Sequence, residues 1–315
     1  MKLHQYVTDY IAFKQALGSR FQTEARILKA FSQVMGDVDI TEVEPTSVQA
    51  FIAGKGAVTS FWHQKFGALT RFYRFLMIRN YIDSAPLPKT VPKCPEPMKP
   101  YIYTLEDLRR LLAATNKLQS PWSPLRVCTF HTLILILYST GLRIGEALSL
   151  TLADVNLPES LIMVRTSKFF KTRLVPIGPR LCDTLRAYVQ RRRKLPCPQG
   201  EDSAFFVTRS GNALTYDQAR KVFPILRNLA GIHREKEARY QPRVHDIRHT
   251  MAVHRLLSWY RQGADVQRLL PQLSTYLGHR DIAATQRYLT IIPDLQNQAS
   301  RRFEHYAMEE VGNEN

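Results

Sequence analysis

Six of the eighteen prolines in this chain fall between residues 86 and 100, at Pro86, Pro88, Pro92, Pro95, Pro97 and Pro100. Proline fixes φ and lacks a backbone donor, so neither a helix nor a central strand can run through such a stretch. Residues 86–100 are therefore expected to form an extended, semi-rigid linker, with one domain over 1–85 and a larger one over 101–315. The length of 315 residues suits two domains, each able to bury its own core.

Charge narrows the choice of partner. Lys and Arg number 44 against 27 Asp and Glu, a formal net charge of +17. The first hundred residues carry 13 basic and 8 acidic side chains and the remainder carries 31 and 19, so the excess is not confined to a tail. Cations spread this widely point to nucleic acid, because neutralising phosphates releases counterions and steers association. A composition of 44% hydrophobic and 23% charged residues is that of a globular chain, not a disordered basic arm. The longest apolar run, Thr132–Tyr138, falls well short of the ~20 residues a membrane span needs, and no basic-then-apolar signal peptide is read at the start. Cys94, Cys128, Cys182 and Cys197 show no paired spacing. A reducing, cytoplasmic setting near the nucleoid is expected, rather than secretion.

The first domain reads as helical. Phe51, Phe61, Phe66, Leu69, Phe72, Phe75 and Leu76 recur at helical spacing, with Lys65, Arg71, Arg74 and Arg79 between them. Such a helix either turns its cations to DNA phosphates or simply carries a solvated face. Beyond the linker, Thr104-Leu105-Glu106-Asp107 resembles a capping box opening a helix through Leu108, Leu111 and Leu112. An apolar helix is expected around Phe130–Tyr138, then two short strands, Leu161–Val164 and Arg173–Ile177, joined by the polar turn Ser167–Thr172. Further helices are predicted over Leu181–Arg193, Tyr216–Ala230, His245–Trp259, Val266–Leu277, Ile282–Tyr288 and Asp294–Ala307, with Pro271 interrupting or kinking its own. The fold class is mostly α: a helical N-terminal domain and an α+β C-terminal domain with one small antiparallel sheet.

Four segments carry possible chemistry. In Gly141-Leu142-Arg143-Ile144-Gly145-Glu146, an Arg follows a Gly turn at a helix start, and Glu146 is placed to brace its guanidinium. Taken alone, this is also an ordinary surface ion pair. In His245-Asp246-Ile247-Arg248-His249-Thr250, His245 and Arg248 share a helical face and can grip one phosphate, whereas His249 is expected to pack or cap locally. A metal pair at His245 and His249 is disfavoured by the adjacent Arg and by the missing Glu of a zincin motif. The third is Leu277-Gly278-His279, followed nine residues later by Tyr288, and the fourth is Lys168, near Lys171 and Arg173 in the strand turn.

In this order and spacing, the four motifs resemble those of the tyrosine recombinases, the phage-integrase-type site-specific recombinases. The resemblance covers the whole second domain and extends to Phe61–Ala85, which looks like that family's core-binding domain. It implies cleavage of a DNA phosphodiester by a tyrosine hydroxyl through a 3′-phosphotyrosyl intermediate, with neither metal nor ATP. By position Tyr288 would be the nucleophile. Arg143 and Arg248 would clamp the non-bridging oxygens, with His245 and His279 hydrogen-bonding beside them and Glu146 orienting an active-site group. Lys168 would be the general acid, with Lys171 as rival, because the glycines common beside the family's lysine are replaced here by Ser167 and Phe169. His245 is the candidate base, though which His takes the proton stays open. Lys65, Arg71, Arg74, Lys171 and Arg173 are expected DNA contacts. The partner would be duplex DNA bearing a specific recombination site, held by a homotetramer on two duplexes through the C-terminal helix. A type IB topoisomerase-like nicking-closing enzyme and a non-catalytic DNA-binding regulator are the alternatives.

Overall fold

A computed structural model describes residues 2–19, 21–96, 98–118, 127–165, 172–235, 238, 240–279 and 281–291. The chain divides into two compact units, Met1–Met98 and Lys99–Asn315. Lys168, Lys171 and the helix expected over Asp294–Ala307 lie outside the described residues.

The first unit contains four α-helices: α1 (Leu3–Ala16), α2 (Gln22–Met35), α3 (Pro45–Ala53) and α4 (Ser60–Ile78). Its core is built mainly of aromatics, with Tyr10, Phe31, Phe72 and Tyr73 sealed from solvent among Leu3, Leu28, Leu69 and Leu76. Tyr10 meets the rings of Phe21, Phe72 and Phe75, the edge-on and tilted contacts that ring quadrupoles favour. Part of the proline segment belongs to this unit, since Leu87 packs against the same core.

The second unit is helical around a small sheet: α5 (Leu105–Ala114), α6 (Val127–Thr140), α7 (Ile144–Leu148), β1 (Val155–Asn156), β2 (Leu161–Val164), β3 (Arg173–Pro176), α8 (Pro179–Arg192), α9 (Tyr216–Leu229), α10 (Asp246–Arg261), α11 (Val266–Leu277) and α12 (Ala283–Ile291). The fold is thus mostly α, with the short β1 added to the two expected strands. All three strands pair antiparallel in the order β1-β2-β3, with Ile162 opposite Val175 on the buried face and Met163 and Leu174 turned outward. The central helix is α6, whose Phe130, Leu133, Ile134, Ile136 and Leu137 are buried between α8 and α10. Each such side chain removed from water contributes roughly 1.5–3 kcal/mol.

Thr104 caps α5 as its sequence suggested: its hydroxyl accepts from the Asp107 N–H and the Asp107 carboxylate accepts from the Thr104 N–H, both at 3.0 Å. Pro271 does not interrupt its helix. The single backbone hydrogen bond it forfeits is outweighed by burial of Leu270, Leu273 and Leu277 on the same helix, and α11 continues through it.

Candidate active site

Two glycines make the site possible. Gly141 ends α6 and Gly278 ends α11, both at positive φ (+62° and +67°), where any other residue is strained. Each points its carbonyl at an arginine from a distant part of the chain. The Gly141 carbonyl accepts from Arg248 Nη1, and the Leu277 carbonyl accepts from Arg248 Nη2 at 2.7 Å. Gly278 accepts from Arg143 Nη2 at 3.2 Å, while Arg143 Nη1 binds Glu146 Oε1 at 2.7 Å. Both guanidiniums are thereby held by carbonyls at helix ends, with N–H groups left over for a ligand.

Glu146 is shared between two cations. Arg173, at the start of β3, places Nη2 at 2.7 Å and Nη1 at 3.2 Å from its two oxygens, and donates Nε to the Tyr276 carbonyl. Burial alone would raise the Glu146 carboxyl, but Arg173 and then Arg143 outweigh it and hold it at about 2. Arg173, an expected DNA contact, turns inward as a brace: its side chain is 11% exposed and its guanidinium donates to Glu146 and to the Tyr276 carbonyl.

Tyr288, on α12, is 3% exposed. Its phenol oxygen lies 3.1 Å from His249 Nδ1. Burial raises its pKa, and Arg248 and Arg143 pull it back down. The His279 ring stands 6.1 Å from the Tyr288 ring and its Nδ1 is anchored at 2.7 Å on the Thr285 hydroxyl. His245 meets His249 edge-on at 4.9 Å. All three histidines are shifted toward the neutral form, first by burial and then by the surrounding cations, His249 and His279 to about 4. Arg248, buried and facing Arg143, is lowered to about 10 and so remains charged. The result is a pocket with fixed positive charge and neutral imidazole donors and acceptors. Such a pocket can take up a phosphodiester and the extra charge that develops as it is attacked.

The structure thus brings together Arg143, Glu146, His245, Arg248, His279 and Tyr288 from four separate segments. Among the described residues, no group of three or more His, Cys, Asp or Glu is placed to hold a metal ion. Of the cations expected to face DNA in the first unit, Lys65 turns inward, donating to the Phe51 carbonyl at 2.6 Å beneath the Phe51 and Phe61 rings, and burial lowers its pKa. Arg71 is exposed and 3.8 Å from Glu24, and Arg74 is exposed. Sequence reasoning missed His249. The visible signal was its i, i+4 spacing from His245, but only the position of α12 shows that this face meets Tyr288.

Comparison with known proteins agrees with this geometry. The model of the phage integrase family matches residues 103–293, which contain every element of the pocket. The chain belongs to the phage integrase family of tyrosine recombinases. Among relatives of this tyrosine recombinase, the protein designated y4rB in Sinorhizobium fredii (strain NBRC 101917 / NGR234), whose name places it with integrases/recombinases, is 34% identical over 95% of this chain and 96% of its own length. The tyrosine recombinase XerD of Brucella suis biovar 1 (strain 1330) is 29% identical over 93% and 94%. The fold is that of the Tn1549 transposon integrase bound to transposon right-end DNA (TM-score 0.71, 16% identity, 98% of this chain and 100% of that one). It is also that of a lambda integrase tetramer bound to a Holliday junction (TM-score 0.66, 15% identity, 91% and 77%).

Proposed function

We propose that this tyrosine recombinase is a site-specific DNA recombinase that cleaves and rejoins strands through a 3′-phosphotyrosyl intermediate. One observation carries the reading: a buried tyrosine, Tyr288, shares a pocket with two arginines, Arg248 and Arg143, that are anchored on the carbonyls of the Gly141 and Gly278 turns. Arg143 and Arg248 hold the two non-bridging oxygens of the scissile phosphate, with His245 and His279 beside them. Glu146 and Arg173 keep Arg143 in place. Tyr288 attacks phosphorus, and Lys168 or Lys171 protonates the departing 5′-oxygen, since an alkoxide is a poor leaving group. The energy of the broken bond is kept in the phosphotyrosyl ester, so resealing needs no ATP. The relatives and fold neighbours named as recombinases and integrases support the same chemistry, and the junction-bound tetramer supports four protomers joining two duplexes, with the C-terminal segment linking neighbours. The cell compartment that fits this substrate is the cytoplasm, at the nucleoid.

A duplex carrying the recognition site, nicked just downstream of the scissile phosphate, lets the short fragment with the freed 5′-hydroxyl diffuse away and traps the covalent complex. The wild-type protein is expected to give an adduct that resists denaturing electrophoresis and forms in EDTA, and Tyr288→Phe is expected to give none. An adduct that persists in Tyr288→Phe, or that requires Mg²⁺, overturns the assignment. Holliday-junction formation on paired sites separates strand exchange from simple nicking and closing.

A further inference from the structure

The Tyr288 hydroxyl must lose its proton as it attacks, and the pocket holds three histidines. His279 Nδ1 is committed to the Thr285 hydroxyl. His245 makes no hydrogen bond to Tyr288 among the described residues; its described contact on that side is the edge of the His249 ring. His249 Nδ1 alone is within hydrogen-bond reach of the phenol oxygen, at 3.1 Å, with the two rings 5.6 Å apart. The Tyr288 hydroxyl donates its proton along that bond when Nδ1 is the unprotonated ring nitrogen of His249. A neutral imidazole with its proton on Nε2 supplies that lone pair.

We propose that His249 is a catalytic residue, the general base that takes the Tyr288 proton. This rests on the recombinase reading above. In the step, the proton passes from the Tyr288 oxygen to His249 Nδ1 as the O–P bond forms and the P–O5′ bond breaks. The departing 5′-oxygen is protonated separately, by Lys168 or Lys171. His249 is then cationic beside a phosphotyrosyl ester, and in the reverse step it returns the proton to the phenol. The groups facing it are His245, Asp246 and Arg248 on α10, Arg243 just before that helix, and Tyr288 and His279 from the α11–α12 side. Four of these six are cationic or can become so. The charge His249 acquires is offset by Asp246 and by the phosphate itself.

The discriminating variant is His249→Asn. Its amide oxygen sits near the place of Nδ1 and accepts the same hydrogen bond, so Tyr288 stays positioned, but it cannot hold a proton. Adduct formation on the nicked duplex is expected to slow by about 10²-fold or more. Duplex binding should be unchanged, and the fall in rate on the acid side that comes from protonating the base should disappear. A substrate with sulfur in place of the bridging 5′-oxygen has a leaving group that needs no acid. The His249→Asn defect is expected to persist on it. Reaction of His249→Asn at the wild-type rate overturns the assignment, and so does full rescue by the sulfur substrate, which would make His249 the acid. If the Asn variant melts prematurely, His249→Ala supplemented with imidazole carries the test, with rescue supporting a base and no rescue overturning it. An adduct in Tyr288→Phe signals instead that the underlying recombinase reading has failed.

Discussion

The pocket depends on two residues with no side chain. A Cβ on Gly278 would lie 2.7 Å from Arg173 Nη1 and 2.9 Å from its Cζ, at a φ of +67° that L residues rarely adopt. Gly278→Ala is therefore expected to cost about 1–3 kcal/mol and to push Arg173 off Glu146, slowing adduct formation as well. Gly145→Ala, where nothing lies within 4 Å and φ is ordinary, should leave the thermal midpoint unchanged or slightly raised. A similar loss of stability in both variants would argue against the packed Gly278–Arg173 contact. At this scale the sequence was readable where spacing and residue type coincide. Arg143 and Glu146 are three apart on one short helix, and His245 and Arg248 share a helical face, so their association needs little beyond local geometry. Arg173 and His249 were not readable. Their partners lie 27 and 39 residues away, and whether a cation in a hairpin or a histidine beside an arginine faces inward depends on neighbouring elements.

Among elements, α5 isolates the value of a cap. Thr104→Ala removes a hydroxyl that accepts the Asp107 N–H at 3.0 Å, while the Asp107 carboxylate keeps its bonds to Tyr101, Arg110 and the residue 104 N–H. Chemical denaturation should show a loss of about 1 kcal/mol, with adduct formation at 25 °C unchanged because α5 supplies no group to the pocket. The elements themselves were largely legible. Strong apolar periodicity defined α6, α8, α9, α10 and α11 to within a few residues, since each buries one face or, for α6, nearly all of them. Two features were not. The two-residue β1 carries too little sequence to show a period, and the continuity of α11 through Pro271 is decided by packing, which offsets one missing hydrogen bond.

For the whole molecule, the net charge of +17 predicts the salt response of DNA binding. If six or more phosphates are neutralised, the apparent affinity should fall about 10³-fold or more between 50 and 200 mM salt, linearly on logarithmic axes. Fluorescence polarisation with a labelled duplex measures this directly. Tyr288→Phe should leave the slope unaltered, and Arg143→Ala should reduce it by about one. A flat response in the wild type would mean that most of these cations turn inward, as the side chains of Lys65 and Arg173 do. The anchoring of Arg248 also affects the timing of synthesis. One of its two carbonyl partners lies 107 residues before it and the other 29 residues after it, and the tyrosine comes later still. A nascent chain emerging from the ribosome therefore carries charge enough to find DNA well before it can cut it. Translation order thus places the cleavage chemistry after the charge that draws the chain to DNA.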